Sequence, residues 1–211
     1  MEEQLFIACE DGKVEEVRKL LQNEQLDTNW RDGWGATPFF IACFKGHIEI
    51  VKLLLNDERV DVNIEGGGEY GRTPFYIACQ EGKSEIVKLL LSNERVDVNK
   101  ADSEYGSTPL YHACERGRMD IVKLLLSDQR VDINKAKSGQ TPLWIACESG
   151  YISIVSLLLA SGKEIDINNK RNTKTALDVA REKGKMNIVE LLESFERNPN
   201  ETREKLRILL K

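Results

Sequence analysis

The sequence has little of what a catalytic or metal-binding site requires. Only two histidines occur among its 211 residues, and no two of its five cysteines form a Cys-x-x-Cys pair. Zinc sites usually draw four such ligands from closely spaced positions, so we expect no metal ion. The three glycines at 66–68 lack the preceding strand, the lysine and the helix of a phosphate-binding loop. We therefore expect no enzyme activity, no catalytic residues and no cofactor.

The chain also lacks a basic surplus and a long apolar run. It carries 30 Lys and Arg against 35 Asp and Glu, a net charge of −5, which does not favour nucleic-acid binding. No segment approaches the roughly 18 to 20 apolar residues that span a bilayer. The N-terminus, Met-Glu-Glu-Gln, has no basic signal-peptide region. We expect a monomeric, intracellular, cytoplasmic protein without membrane insertion.

What the sequence does contain is a repeat. The dipeptide Thr-Pro recurs at steps of 36, 35 and 33 residues, and an altered Thr-Ala copy follows after 34 more. Within each Thr-Pro copy, a Cys lies six residues after the threonine and a Gly three residues after the Cys. Segments with the same columns at both ends of the chain, 8–12 and 180–184, bring the number of units to six. The five threonines are Thr37, Thr73, Thr108, Thr141 and Thr175.

Each unit reads as a pair of helices. Threonine is a preferred N-cap, proline is tolerated at the first helical position, and glycine ends a helix in the left-handed conformation. A second segment with helical apolar spacing follows, then Val-Asp-Val-Asn or a close variant, then a polar tip with glycine. One such unit has too little apolar surface to form its own core, whereas a stack of units buries a continuous one.

These motifs resemble the ankyrin repeat, whose usual signature is Thr-Pro-Leu-His-x-Ala at a period of about 33. The resemblance covers residues 1 to about 197 and implies an all-α solenoid of about six helix-turn-helix repeats with hairpin-like tips. Two features depart from the family pattern. An aromatic residue stands at the signature histidine, and the turn after the second helix is longer and lacks its usual glycine.

The repeats are bounded by the Thr-Pro spacing, and a further helix follows them. Asn198-Pro199 with Glu201 is a capping-box arrangement, and Leu206, Leu209 and Leu210 share one helical face. This predicts a C-terminal helix over 198–211 laid against the sixth repeat, with a linker helix as the alternative. An ankyrin repeat domain would then occupy 1–197, with repeats at approximately 1–29, 30–63, 64–99, 100–134, 135–168 and 169–197.

Three columns of the repeat could carry chemistry. All cysteines share one column, where copies about 10 Å apart would be too distant for disulfides, so we interpret them as small buried core residues. The signature-histidine column is aromatic, and its rings either fill space between repeats or form the floor of a concave groove with Phe44. His112 lies beside this column and His47 after a helix-ending glycine, and we interpret both as structural or binding residues. The aromatic column comprises Phe6, Phe40, Tyr76, Tyr111 and Trp144.

The tips supply the third column. Trp34, Tyr70 and Tyr105 each directly precede a tip glycine, while the fourth tip has Ser138 there. Large rings in exposed loops are typical of interface hot spots, and packing against the neighbouring tip is the alternative. Formal charge also changes along the tips, from −1 at 64–72 and at 100–107 to +2 at 135–140 and +3 at 169–174.

The resemblance implies protein–protein recognition, as an adaptor or scaffold. A regulatory or targeting domain of a larger enzyme, or a structural spacer, are the alternatives; buried tip rings would favour the spacer. We predict that a partner protein or peptide binds through the tips and the groove. The candidate binding residues are Trp34, Tyr70, Tyr105, Phe44, Tyr76, Tyr111, His112 and Trp144.

Overall fold

The computed structural model describes residues 1–136 and 140–210, so Lys137 and Ser138 of the fourth tip lie outside the described residues. Within those ranges the regular structure is helical, with one 3-10 turn at Gly68–Tyr70 and two isolated antiparallel bridges. The helices are α1 (Glu2–Glu10), α2 (Val14–Leu20), α3 (Pro38–Lys45), α4 (Ile48–Leu55), α5 (Pro74–Gln80), α6 (Ser84–Leu91), α7 (Pro109–Glu115), α8 (Met119–Ser127), α9 (Pro142–Ser149), α10 (Ile152–Ala160), α11 (Ala176–Glu182), α12 (Met186–Arg197) and α13 (Pro199–Leu209).

The Thr-Pro dipeptide starts the first helix of a pair as the sequence predicts. The Thr37 hydroxyl accepts a hydrogen bond from the Phe40 amide at 3.1 Å, and Thr73 and Thr141 cap α5 and α9 at the same distance. The altered copy at Thr175 forms a full capping box. Because the caps satisfy amides that a helix start leaves unpaired, a short helix of seven or eight residues can begin at each threonine.

The chain folds as two units, Met1–Pro109 and Leu110–Lys211. In the first unit, α1, α3 and α5 pack side by side as inner helices, and α2, α4 and α6 form the outer layer. The apolar faces of both layers meet in one core, where Leu5, Phe39 and Ile50 are at most 1% exposed. This is the layered helix packing that the repeat pattern predicts.

In the second unit, α9 packs on α11, and α10 packs on α8 and α12. The C-terminal helix α13 contacts both α10 and α12, which confirms the predicted capping helix. Its buried residues are Thr202 and Leu206, whereas Leu209 is 79% and Leu210 37% exposed. Of the three leucines whose shared helical face the sequence predicts, only Leu206 is therefore buried, since α13 contacts α10 through arginines and its final turn faces solvent.

Asparagines of the Val-Asp-Val-Asn segments join successive repeats. The Asn63 side chain donates to the Arg95 carbonyl at 2.7 Å and accepts from the Asp97 amide at 2.8 Å. Asn29 makes the same pair of bonds one repeat earlier, and Asn134 makes them in the second unit. Each carboxamide therefore uses its donor and its acceptor on the backbone of the next copy, which fixes the spacing of the two repeats.

Cationic side chains donate hydrogen bonds to carbonyls at and just after the C-terminal ends of the outer helices. Arg95 donates to the carbonyls of Leu55 at 2.6 Å and Val60 at 3.1 Å, and Arg59 and Lys163 act alike in their repeats. For the outer helix of the fifth repeat, α10, the cationic side chains come from α13. Its Arg203 and Arg207 donate to the carbonyls of Leu159 and Ala160, the last residues of α10. Thus α13 covers the C-terminal end of α10 as a further repeat would.

We predict that Asn63→Ala lowers the free energy of unfolding by about 1–3 kcal/mol, because two inter-repeat hydrogen bonds disappear. Asn63→Asp keeps the acceptor for the Asp97 amide but sets a carboxylate oxygen against the Arg95 carbonyl, so it should cost at least as much as the alanine variant. Urea unfolding measures both. Asn200→Ala, at an exposed position of α13, is the control and should have little effect. An Asn63→Ala variant as stable as the wild type would contradict the role assigned to the asparagine.

The cysteine column lies in the core. All five cysteines are free thiols and 0% exposed. Burial raises the pKa of the Cys9 and Cys147 thiols to about 12, and it raises those of Cys43, Cys79 and Cys114 as well. The interpretation as small buried core residues agrees with these positions, since the reactive thiolate is suppressed in the folded state.

We predict that a thiol reagent labels the native protein slowly and the urea-unfolded protein fast. Raising the pH from 7 to 9 should accelerate labelling of the unfolded chain, whose thiols have an ordinary pKa of about 8.5, and native labelling should stay far slower at both pH values. Mass spectrometry of the labelled protein counts the modified cysteines. Rapid native labelling of three or more of them would show that the column is accessible.

Candidate functional site

Three aromatic side chains project from the tips of the first unit. Trp34 is 77% exposed, Tyr105 53% and Tyr70 41%. The backbones of the same residues tie adjacent tips together, because the Trp34 carbonyl accepts from the Gly68 amide at 2.7 Å and the Tyr70 carbonyl from the Ser103 amide at 2.9 Å. These bonds place the rings on successive linked tips. We call the three side chains the tip rings.

A carboxylate holds the turn that carries each of two tip rings. Asp32 Oδ1 accepts from the amides of Trp34 at 2.9 Å and Ala36 at 2.8 Å. Asp102 Oδ1 accepts from the Tyr105 amide at 2.6 Å, and Oδ2 accepts from the Tyr76 hydroxyl at 3.1 Å. Asp102 is only 3% exposed, so it acts inside the protein, whereas Asp32 is half-buried.

The three-glycine tip is built to approach its neighbour closely. A Cβ on Gly66 would lie 3.1 Å from the Ala36 Cα, and a Cβ on Gly67 would lie 3.0 Å from the Phe40 ring. Gly67 also has φ of +77°, which favours glycine. The tip closes through paired backbone hydrogen bonds between Gly66 and Arg72, at 2.8 and 3.2 Å. The absence of side chains at these glycines therefore lets the backbone of the tip lie close to the Phe40 ring.

The aromatic column of the inner helices is buried. Tyr76 is 0% exposed, Tyr111 and Trp144 are 5% exposed, and the remaining rings are also buried. Their polar atoms reach the following tip: the Tyr76 hydroxyl bonds Asp102, and Trp144 Nε1 donates to the Lys174 carbonyl at 3.3 Å. The rings therefore fill the space between repeats and anchor the base of the next tip, in agreement with the packing interpretation.

Arg72 links a tip ring to this buried column. Its guanidinium lies 4.6 Å from the centre of the Tyr70 ring and 5.4 Å from that of Tyr76, within the range of cation–π attraction. Burial and the charge of Asp102 raise the pKa of the Tyr76 hydroxyl, and the charge of Arg72 opposes that rise. The positive charge of Arg72 therefore faces aromatic rings, and its buried Nε has no hydrogen-bond partner among the described residues.

Each of the two histidine rings contacts other residues of the protein. His47 Nε2 lies 3.0 Å from the Glu10 carbonyl oxygen, and its ring crosses Gly12, where a Cβ would come within 2.8 Å. His112 is 9% exposed, packs edge-on against the Tyr111 ring at 5.2 Å, and has Nδ1 2.9 Å from a carboxylate oxygen of Glu115. Each ring joins neighbouring residues of its own unit.

A cleft of about 360 Å³ opens beside the first tip ring. Trp34, Phe40 and Phe44 are its aromatic lining residues, and Asp32 and Gln80 are among its polar ones. Phe44 is 39% exposed, which makes it the exposed member of the groove that the sequence analysis predicted. The remaining lining residues are Ala36, Ile41, Gly67, Arg72 and Ile77.

The eight candidate binding residues thus divide by exposure. Exposed side chains are those of Trp34, Tyr70, Tyr105 and Phe44; buried ones are those of Tyr76, Tyr111, His112 and Trp144. The stacking of Arg72 was not apparent from the sequence, although its position directly after a tip glycine was the available signal. In the described residues, no helix is long and apolar enough to cross a membrane, and no group of three or more His, Cys, Asp or Glu could hold a metal ion.

Comparison with known proteins places these features in a family. A family model described as ankyrin repeats (3 copies) matches residues 5–102, 66–137, 94–170 and 131–203. A search of curated proteins found no match.

Two solved structures resemble the chain over most of its length. The ankyrin repeat protein EF0377 has a TM-score of 0.81 at 32% identity, over 92% of this chain and 98% of that one. A chain of the complex between the predatory endopeptidase Bd0816 of Bdellovibrio bacteriovorus and immunity protein Bd3460 has a TM-score of 0.74 at 26% identity, over 90% and 97%. The helix pairs, the caps and these matches agree: the chain is a member of the ankyrin repeat family, with its all-α solenoid fold.

Proposed function

We propose that this chain is a protein-binding adaptor or scaffold that holds a segment of a partner protein across the tip rings and the cleft beside Trp34. Ankyrin repeats are protein-interaction modules, and one similar structure is a complex of an endopeptidase with an immunity protein. The observation that carries the proposal is the exposure of Trp34, Tyr70 and Tyr105 on tips that are tied together by their backbones. Rigid aromatic anchors suit binding because little conformational freedom is lost when a partner covers them.

The charge around the tip rings favours a partner segment that is basic or of mixed charge. Glu69 and Glu104 are exposed beside the rings, and Asp32 is half-buried among them. The nearby Glu65 is already paired with Lys100 at 2.9 Å. The basic tip at 169–174, in the second unit, would suit acidic groups of the same or another partner.

Two other functions remain as alternatives. A structural spacer would have no use for large exposed rings in its loops, so the exposure of the tip rings argues against it. A regulatory or targeting domain of a larger enzyme would use the same binding surface. This function differs from that of an adaptor only in that the partner, or the rest of the polypeptide, has enzyme activity. The tip rings are therefore the residues to test first.

We predict that the triple change Trp34→Ala, Tyr70→Ala and Tyr105→Ala abolishes binding of peptides selected on the wild-type protein from a random displayed library. Truncation of one such anchor typically costs about 2 kcal/mol or more, roughly thirtyfold in affinity. The thermal transition should stay nearly unchanged, because the bonds between tips come from backbones and the exposed stacking of the Tyr70 ring on Arg72 contributes little. Fluorescence anisotropy and calorimetry measure the two effects.

The matched control is the double change Tyr151→Ala and Met186→Ala, which removes side chains that are 40% and 59% exposed away from the tips. These positions lie in the second unit, and binding should persist in that variant. Selected peptides that still bind the triple variant would show that the tip rings are not the site. Unfolding of the triple variant would instead identify the rings as packing residues.

A further inference from the structure

Part of the second unit carries a charge opposite to that of the whole chain. Residues 135–185 contain nine Lys and Arg against five Asp and Glu, a net charge of +4, whereas the whole chain has a net charge of −5. The basic tip at 169–174 contributes Lys170, Arg171 and Lys174 and contains no acidic residue. Both lysines are exposed and the arginine is half-buried. A local surplus of one sign attracts groups of the opposite sign.

Arg171 is held over a buried ring. Its guanidinium carbon lies 4.8 Å from the centre of the Trp144 ring, within the range of cation–π attraction, and Trp144 is only 5% exposed. The Gln140 carboxamide, turned so that its oxygen faces the arginine, accepts from Nη2 at 2.7 Å. The Trp144 ring is itself fixed, because Nε1 donates to the Lys174 carbonyl. Ring and carboxamide are both neutral, so the arginine is positioned while its charge remains.

The turn of the basic tip has a defined backbone. Arg171 and Lys174 exchange two backbone hydrogen bonds of 3.0 Å, which leaves Asn172 and Thr173 as the two central residues. Both have positive φ, +48° and +71°. Threonine rarely adopts this conformation because its side chain is branched at Cβ, and such a backbone persists only where the surrounding structure holds it. The basic side chains at both ends of the turn therefore start from fixed positions.

Carboxylates of α11 offset only part of the charge of the basic tip. Glu182 pairs with Lys174. The charge of Lys170 helps to lower the pKa of Asp178, after the larger effect of hydrogen bonds in the capping box, so these two charges partly offset each other. Arg171 has no ion-pair partner in the part of the chain that the structure describes. The positive charge that is available to a partner is therefore centred on Arg171.

We propose that the basic tip is a second contact surface, on which Arg171 binds a carboxylate in an acidic segment of a partner protein. A guanidinium presents paired N–H donors that match the two oxygens of a carboxylate. Its contact with Trp144 reduces the conformational freedom that the side chain loses on binding. A nucleic acid fits less well, because the chain as a whole is acidic. The proposal rests on the proposed function in that the chain binds protein.

The test uses two capped peptides, Ac-Gly-Glu-Glu-Asp-Glu-Gly-NH2 and a neutral counterpart with Gln and Asn at the acidic positions. NMR titration of the full chain follows the Trp144 indole N–H, beneath Arg171, and the Thr173 amide. We expect saturable shifts with the acidic peptide, and affinity for the neutral peptide weaker by about tenfold or more. Raising the salt concentration from about 0.05 M to about 0.5 M should weaken acidic-peptide binding by about fivefold or more, since exposed charges are screened.

Arg171→Gln removes the charge and should lower acidic-peptide affinity by about fivefold or more. Arg171→Lys keeps the charge without the planar fork, so it should have an intermediate affinity. Arg116→Gln is the matched control, because it removes an exposed charge of the same unit directly after α7, and affinity should stay within about twofold. Circular dichroism checks the fold of each variant. If Arg171→Gln disturbs it, Lys170→Gln, at an exposed position of the basic tip, should still weaken binding by about twofold or more.

Three outcomes would overturn the proposal: equal affinity for the acidic and neutral peptides, an Arg116→Gln loss as large as that of Arg171→Gln, or tighter binding of a ten-residue thymidine oligonucleotide than of the acidic peptide. Failure of the proposed function has a different signature, because the tip rings lie in the first unit. If the tip-ring triple variant retains the library-selected peptides while Arg171→Gln loses the acidic peptide, the tip rings fail and the basic tip stands. If the triple variant loses the selected peptides and the acidic peptide does not bind the wild type, the basic-tip proposal alone fails.

Discussion

The asparagine that bridges one repeat to the next is the interaction on which the rest of the structure depends. A repeat of two short helices has too little core to stand alone, so its stability comes from the surface it shares with its neighbour. Apolar packing sets how much of that surface is buried but tolerates sliding, because it is not directional. The two hydrogen bonds of Asn63, to Arg95 and Asp97, are directional and fix the register. Registered repeats in turn bring the tips of the first unit into line.

Directional hydrogen bonds also satisfy the unpaired carbonyls at the C-terminal ends of the outer helices. The carbonyls that a helix leaves unpaired would discourage close stacking unless the next repeat satisfied them. Arg95 does so within the first unit, and α13 does so for α10 through Arg203 and Arg207. A helix that belongs to no repeat can therefore end the stack, since it needs to supply only two cationic side chains and a small apolar face.

The sequence predicts features that depend on local chemistry and periodicity. The Thr-Pro caps, the six helix pairs, the cysteine column and the final helix all follow from residue type and spacing. Features that join residues about one repeat apart were harder to foresee. The sequence did not reveal that Tyr76 reaches Asp102, that Arg72 stacks on Tyr70, or that Leu209 stays in solvent. Each depends on where one tip or helix lies against the next, and repeated spacing does not fix the direction of a side chain.

The hydrogen bonds that tie adjacent tips together come from the backbone carbonyls of Trp34 and Tyr70 and not from their rings. Trp34 receives the amide of Gly68, and Tyr70 receives that of Ser103, so any residue that accepts the same backbone conformation could make these bonds. The glycines and aspartates around them cannot be exchanged as freely. The close approach of the tips requires glycines, which have no side chain, and the turns require the carboxylates of the aspartates. Under the proposed function, structure and recognition are encoded by different atoms of the same residue. A lineage could then exchange the ring for another side chain, and so change what is bound, while the architecture beneath it stays the same.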